Sequence, residues 1–229
     1  MKIVSFIMQC ALLAVVGFGP LQSAYPAKRD ASNVITILAL GDSLTDGYVL
    51  SRKQAYPALI AEKMRSANYQ FDIINAGSSG DTTADGLRRL PALLRGKRID
   101  VLILALGIND AFRGVPIEQM RSNLQAIIDQ TRARHPNVSI IVAGMQLPLE
   151  SSDGYVRSFG EMFGALAEKN RAALIPYLLE GVGGNPELNL GDRIHPNAAG
   201  QRVLAENVWR VLEPILQKKT AVSPSRRSD

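Results

Sequence analysis

A chain of 229 residues, 46% apolar and 21% charged, can bury a full hydrophobic core without disulfide or metal staples. Its single cysteine and even composition exclude a disulfide scaffold, a collagen-like repeat and a highly charged disordered chain. The net charge of +5 is spread over single arginines and a basic tail, so no nucleic-acid partner is expected.

The chain opens with a positive charge at Lys2, then runs apolar from Ile3 to Phe18 apart from Ser5 and Gln9. Gly17, Gly19 and Pro20 break that run ahead of the small residues Ser23 and Ala24. This order is the anatomy of a secretory signal peptide, expected over residues 1–24 and followed by a periplasmic or secreted protein. The apolar stretch is shorter than the roughly 20 residues of a membrane span, although an uncleaved N-terminal anchor is the alternative. Cutting after Ala24 leaves Gln22 where a small residue is preferred. Cys10 lies within the apolar run, so cleavage removes every thiol nucleophile and any Cys-based zinc site. A cysteine-free chain is also at home in an oxidising compartment.

Residues 25–217 read as one domain, with no internal repeat or linker. Val34 to Leu40, Phe71 to Asn75, Asp100 to Leu106, Val138 to Ala143 and Ala173 to Pro176 are β-rich apolar runs. Apolar on both sides, they suit parallel strands covered on each face. Helical patterns span Tyr56 to Ser66, Ala84 to Leu94, Ile117 to Arg134, Tyr155 to Asn170 and Ala198 to Leu216. The alternation predicts an α/β fold, a three-layer α/β/α sandwich around a parallel sheet. Residues 218–229, rich in Lys, Arg and Ser, read as a disordered basic tail.

In such a sheet, ligands meet the carboxyl ends of the strands where strand order reverses. Four polar loops fall there: Gly41 to Gly47, Asn75 to Asp81, Gly107 to Asp110 and Gly191 to Asn197. Of the two histidines, His135 precedes Pro136 at a predicted helix end and reads as a capping or solvent-facing residue. His195 stands three residues after Asp192, a spacing at which a carboxylate can reach one imidazole nitrogen and leave the other free as a base. By itself that pair reads equally as a capped turn. Ser43, between Gly41 and Gly47, is on local sequence an N-cap or turn residue. With a base nearby it becomes a nucleophile. Position 45 is Thr, so the second glycine of a G-x-S-x-G elbow is missing and the α/β-hydrolase fold is not indicated. Gly77 and Asn109 offer a backbone N–H and a side-chain amide to a developing oxyanion; turn and cap roles are the alternatives.

Taken together, Gly41-Asp42-Ser43-Leu44, Gly77, Gly107-Ile108-Asn109-Asp110 and Asp192-Arg193-Ile194-His195-Pro196 resemble the blocks of the SGNH, or GDSL-type, hydrolases, in family order. The resemblance covers Val34 to Leu216. Leu90-Pro91-Ala92-Leu93-Leu94 and Ile194-His195-Pro196-Asn197 resemble the bacterial arylesterase, acyl-CoA thioesterase and lysophospholipase subgroup. One departure is Ile108, where many members of the subgroup carry a second glycine, which bears on loop mobility beside the acyl group.

The resemblance implies a flavodoxin-like sheet of five strands, with Ser43 as nucleophile, His195 as base and Asp192 orienting it. It implies an oxyanion hole from the Ser43 and Gly77 backbone amides and the Asn109 side chain, and neither metal nor cofactor. The expected substrate is a small-molecule or lipid ester, with at most transient contact with a membrane surface and a monomer favoured. The apolar loop Met145 to Leu149 reads as an acyl-groove wall, with Leu147 as the expected substrate contact. A carbohydrate O-deacetylase using the same triad is the alternative enzyme. A non-catalytic flavodoxin-like module is the alternative outside enzymes, but Gly107 and Tyr177 stand near the positions where receiver chemistry needs Asp and Lys.

Overall fold

In the computed structural model, which describes residues 34–147 and 154–221, the first apolar run becomes strand β1 (Ile35–Gly41), buried at every position. A strand buried on both faces belongs in the middle of a covered sheet. Accordingly, β1 pairs in parallel with β2 (Phe71–Gly77) on one side and with β3 (Val101–Ala105) on the other. Two further parallel strands, β4 (Ser139–Ala143) and β5 (Ala173–Ile175), complete the order β2-β1-β3-β4-β5. At the edge, β2 is only half-buried over Phe71 to Asn75.

Helices cover both faces. On one, α2 (Tyr56–Ser66) packs against α7 (Ala198–Ala221); on the other, α3 (Thr83–Leu93), α5 (Ile117–Arg134) and α6 (Gly154–Lys169) pack side by side. Their starts follow local chemistry. Pro57 occupies the first turn of α2, where its missing N–H costs nothing. Thr82 and Asp85 form a reciprocal capping box on α3. The Asn197 carboxamide accepts the Ala199 and Gly200 N–H groups at 2.9 and 3.0 Å to start α7. Core stripes at helical spacing follow, with Leu124, Ile127 and Ile128 on α5 and Leu204, Val208 and Leu212 on α7.

Two one-turn helices, α1 (Ser43–Asp46) and α4 (Ile108–Phe112), open the loops after β1 and β3. Neither is long enough to show an apolar period. The chain leaves β1 for β2 and returns to β3 on the far side of β1, so the loops after β1 and β3 part at a topological switch point.

The first four residues expected as tail are helical. Residues 218 to 221 continue α7, where Lys219 Nζ reaches the Asn137 carbonyl at 3.1 Å and Thr220 Oγ1 bonds the Leu216 carbonyl at 3.0 Å. The expected signal segment and residues 222–229 lie outside the described residues.

Candidate active site

Helix α1 exists to hold Ser43. Asp42, fully buried, caps it by accepting the Leu44 N–H on Oδ1 at 2.9 Å, and its carbonyl accepts the Thr45 and Asp46 N–H groups. The serine hydroxyl thus stands on the first helical residue, at the carboxyl end of β1.

The other half of the pair arrives 152 residues later. His195 Nε2 lies 3.0 Å from Ser43 Oγ, and His195 Nδ1 lies 2.7 Å from Asp192 Oδ2. Both sequence readings of Asp192 hold at once, one per oxygen. Oδ2 meets the imidazole, while Oδ1 accepts the Ile194 and His195 backbone N–H groups at 2.9 Å each. Burial works to raise the Asp192 carboxyl. The hydrogen bonds from the His195 backbone, the His195 side chain and the Ile194 backbone outweigh it and hold the group down at about 2.

Tyr48 stacks on the imidazole, with ring centroids 4.3 Å apart and planes tilted by 31°. Its backbone N–H also donates to the Ser43 carbonyl at 3.2 Å, so one residue braces both partners.

The loop after β2 is pinned from four sides. Ser78 N–H donates to the Gly41 carbonyl at 3.1 Å and Ser79 Oγ to Asp46 Oδ2 at 3.0 Å. Arg89 joins Asp81 to the Gly41 carbonyl, with contacts of 2.5 and 2.8 Å. From α4, Asn109 Nδ2 donates to the Asp81 carbonyl at 2.9 Å, and Arg113 donates to the Gly80 carbonyl at 3.0 Å. Asp110 secures α4 itself, accepting the Thr83 N–H and hydroxyl at 2.7 and 2.6 Å. Burial raises the Asp110 carboxyl, with the Thr83 bonds acting against it.

Asp42 feels the same crowding more strongly. Burial first, opposed by its backbone hydrogen bonds and aided by Asp81 and Asp110, pushes it up to about 7. Its Oδ2 has no hydrogen-bond partner among the described residues.

Gly77 does not offer the expected free donor. Its N–H is already given to Asn75 Oδ1 at 2.9 Å. It is glycine because α1 lies against it: a Cβ there would sit 2.2 Å from the Asp46 nitrogen. Three residues on, Gly80 turns at φ +86°. Its backbone N–H, like that of Ser43, meets no acceptor among the described residues. The sequence reading missed Gly80. No local signal separates the two glycines, because it is the register that pairs Gly77 with Gly41 inside the sheet and starts the loop proper only at Ser78.

Leu147 also departs from expectation. It is 8% exposed and packs in the hydrophobic core, and the chain leaving β4 is tied to β5 and the segment after it, Gly144 N–H donating to the Ile175 carbonyl and Leu178 N–H to the Gly144 carbonyl. Pro148 and Leu149 lie outside the described residues. His135 sits at the opposite end of the sheet, its Nδ1 3.5 Å from the Ile99 N–H just ahead of β3, and takes no part in the site. Among the described residues, no three His, Cys, Asp or Glu side chains cluster as a metal-binding group.

The GDSL-like Lipase/Acylhydrolase family pattern matches residues 39–203. An esterase named TesA from Pseudomonas aeruginosa is 38% identical over 181 residues, covering 79% of this chain and 89% of that protein. A thioesterase 1/protease 1/lysophospholipase L1 from Escherichia coli is 34% identical over 181 residues, covering 79% and 85%. A crystal structure of TesA superposes with a TM-score of 0.74 at 37% identity, over 79% of this chain and 99% of that one. With that match over most of its length, the chain belongs to the GDSL-like lipase/acylhydrolase family.

Proposed function

We propose that this carboxylic ester hydrolase works through an acyl-enzyme on Ser43. The observation that carries the reading is the Ser43–His195–Asp192 chain of contacts at 3.0 and 2.7 Å. With its Nδ1 proton held by Asp192, His195 accepts the Ser43 proton on Nε2 as Oγ attacks the ester carbonyl. The tetrahedral oxyanion takes hydrogen bonds from the Ser43 N–H, the second hydrogen of the Asn109 amide and the Gly80 N–H, in place of Gly77. His195 then returns the proton to the leaving alcohol, and the acyl group stays on Ser43. Water, deprotonated by the same imidazole, releases the acid.

Esters of amphiphilic acyl chains and thioesters are the substrates we assign, in line with the esterase, thioesterase and lysophospholipase named among the relatives. The positive start, short apolar run and small residues of positions 1–24 support export to the periplasm or beyond, where cytosolic acyl-CoA is absent and lysophospholipids are at hand. Replacing Ser43→Ala should lower kcat on a short-chain aryl ester by roughly 10⁴-fold or more while leaving the thermal transition in place. Turnover retained within tenfold would refute the assignment. A panel of aryl esters, acyl thioesters, lysophospholipids and acetylated sugars then ranks the substrates.

A further inference from the structure

Among the described residues, four large apolar side chains stand exposed: Tyr48 (41%), Val49 (73%), Phe112 (52%) and Ile194 (43%). Scattered singly over a surface, such residues need no explanation. These are not scattered. Tyr48 and Val49 follow α1, Phe112 closes α4 three residues after Asn109, and Ile194 precedes His195. The Tyr48–His195 stack joins the first and last of these segments. The Asp46–Ser79 and Asn109–Asp81 bonds join the first and the middle one through the loop after β2. The segments that carry all four side chains therefore meet beside the Ser43–His195 pair.

Val49 carries a second mark. Its φ of +53° is a left-handed conformation that a β-branched residue rarely adopts, and such strain persists only where the surrounding structure imposes it. The same segments carry exposed cations: Arg52, Lys53, Arg113 and Arg193. Among the described residues Lys53 and Arg193 have no carboxylate partner, whereas the acids of these segments are engaged, Asp46 by Arg52 and Asp192 by His195. Apolar tips interleaved with uncompensated cations complement acyl chains lying beneath anionic head groups.

We propose that this rim seats the enzyme on an anionic lipid surface, with the cleft mouth against the acyl interface, so that an amphiphilic ester enters the site directly from the lipid. The proposal rests on the reading of Ser43 as the nucleophile, and its test separates the two.

Full-length wild type and the double variant Val49→Asn/Phe112→Ser are compared after matching thermal transitions. Asn relieves the backbone at 49, so the fold is kept. One arm measures co-sedimentation with vesicles of phosphatidylglycerol and phosphatidylcholine, another with phosphatidylcholine alone. A third measures hydrolysis of a dissolved short-chain aryl ester, and a fourth hydrolysis of a lysophospholipid carried in the anionic vesicles.

The double variant is expected to lose tenfold or more in anionic-vesicle affinity and in the vesicle-borne rate, with the aryl-ester rate within twofold. Lys53→Gln is expected to weaken binding to the anionic vesicles and leave the neutral ones unchanged. Equal vesicle binding by wild type and the double variant overturns the proposal, as does binding indifferent to lipid charge. A rim that docks proteins instead would leave both vesicle arms unchanged, and that also overturns it. Vesicle binding by a protein that hydrolyses no ester would instead refute the Ser43 reading.

Discussion

At Asn109, one hydrogen of the side-chain amide holds the Asp81 carbonyl at 2.9 Å, leaving the other without an acceptor among the described residues. The bond fixes the direction of the remaining donor before substrate arrives, which is what makes an oxyanion donor effective. Asn109→Ala is therefore expected to lower kcat on an aryl ester by about 10²–10³-fold with KM changed little, measured by steady-state kinetics. A fall confined to KM would mean that Asn109 binds the ground state instead. Ser43, Asn109, Asp192 and His195 were legible as candidates through the family resemblance, since their positions just after a strand or just before the last helix fit cap and turn roles equally well. The choice between Gly77 and Gly80 was not. It depends on which N–H points at an acceptor, and Asn75 Oδ1 takes that of Gly77.

Among the elements, α7 does more than cover the sheet. Buried Gln201 accepts the Tyr56 N–H at 2.8 Å and donates to the Leu44 carbonyl at 3.2 Å. One amide thus ties the first turn of α7, a few residues past His195, to the start of α2 and to the helix that carries Ser43. The link spans 157 residues of sequence. Gln201→Ala would leave the buried Tyr56 N–H unpaired, at a cost of about 1–3 kcal/mol. In a chain of this size, a thermal melt should move down by roughly 3–10 °C. An unchanged melt would show that water replaces the amide.

The long elements could be read from their periods, and α2 and α5 have the limits the pattern gave. The short ones could not. Helices α1 and α4, of four and five residues, exist because Asp42 caps one and Asp110 clamps the other to Thr83. The last turn of α7 carries a lysine-rich sequence that reads as a tail until Asn137 is brought beside Lys219.

Across the whole molecule, pH should act through two opposed carboxylates. Asp42, raised from 3.8 to about 7, binds a proton in the folded chain that the unfolded chain has already released. Its contribution is full near pH 4 and is lost as pH rises toward 7. Asp192, lowered to about 2, stabilises above its unfolded value near 3.8, and that contribution fades as pH falls through about 2. Asp42→Asn keeps the oxygen that caps Leu44 but cannot titrate. Melts taken from pH 4 to 8 should show the variant gaining on wild type as pH rises to about 7, then a constant gap. Parallel curves would mean that Asp42 titrates normally in the folded protein.

Apolar runs and helical periods are local properties of the chain, and they are enough to give the layered α/β fold. For Ser43, Asn109, Asp192 and His195 local sequence gives only positions, after a strand or ahead of the last helix; cap and turn roles fit them equally, and the catalytic roles are what the family resemblance implies. Tertiary contacts settle which backbone N–H is free, that Leu147 is buried in the core, and how the segments carrying four exposed apolar side chains meet beside Ser43 and His195. Those outcomes depend on strand register and on contacts between segments as much as 157 residues apart, which no local pattern encodes.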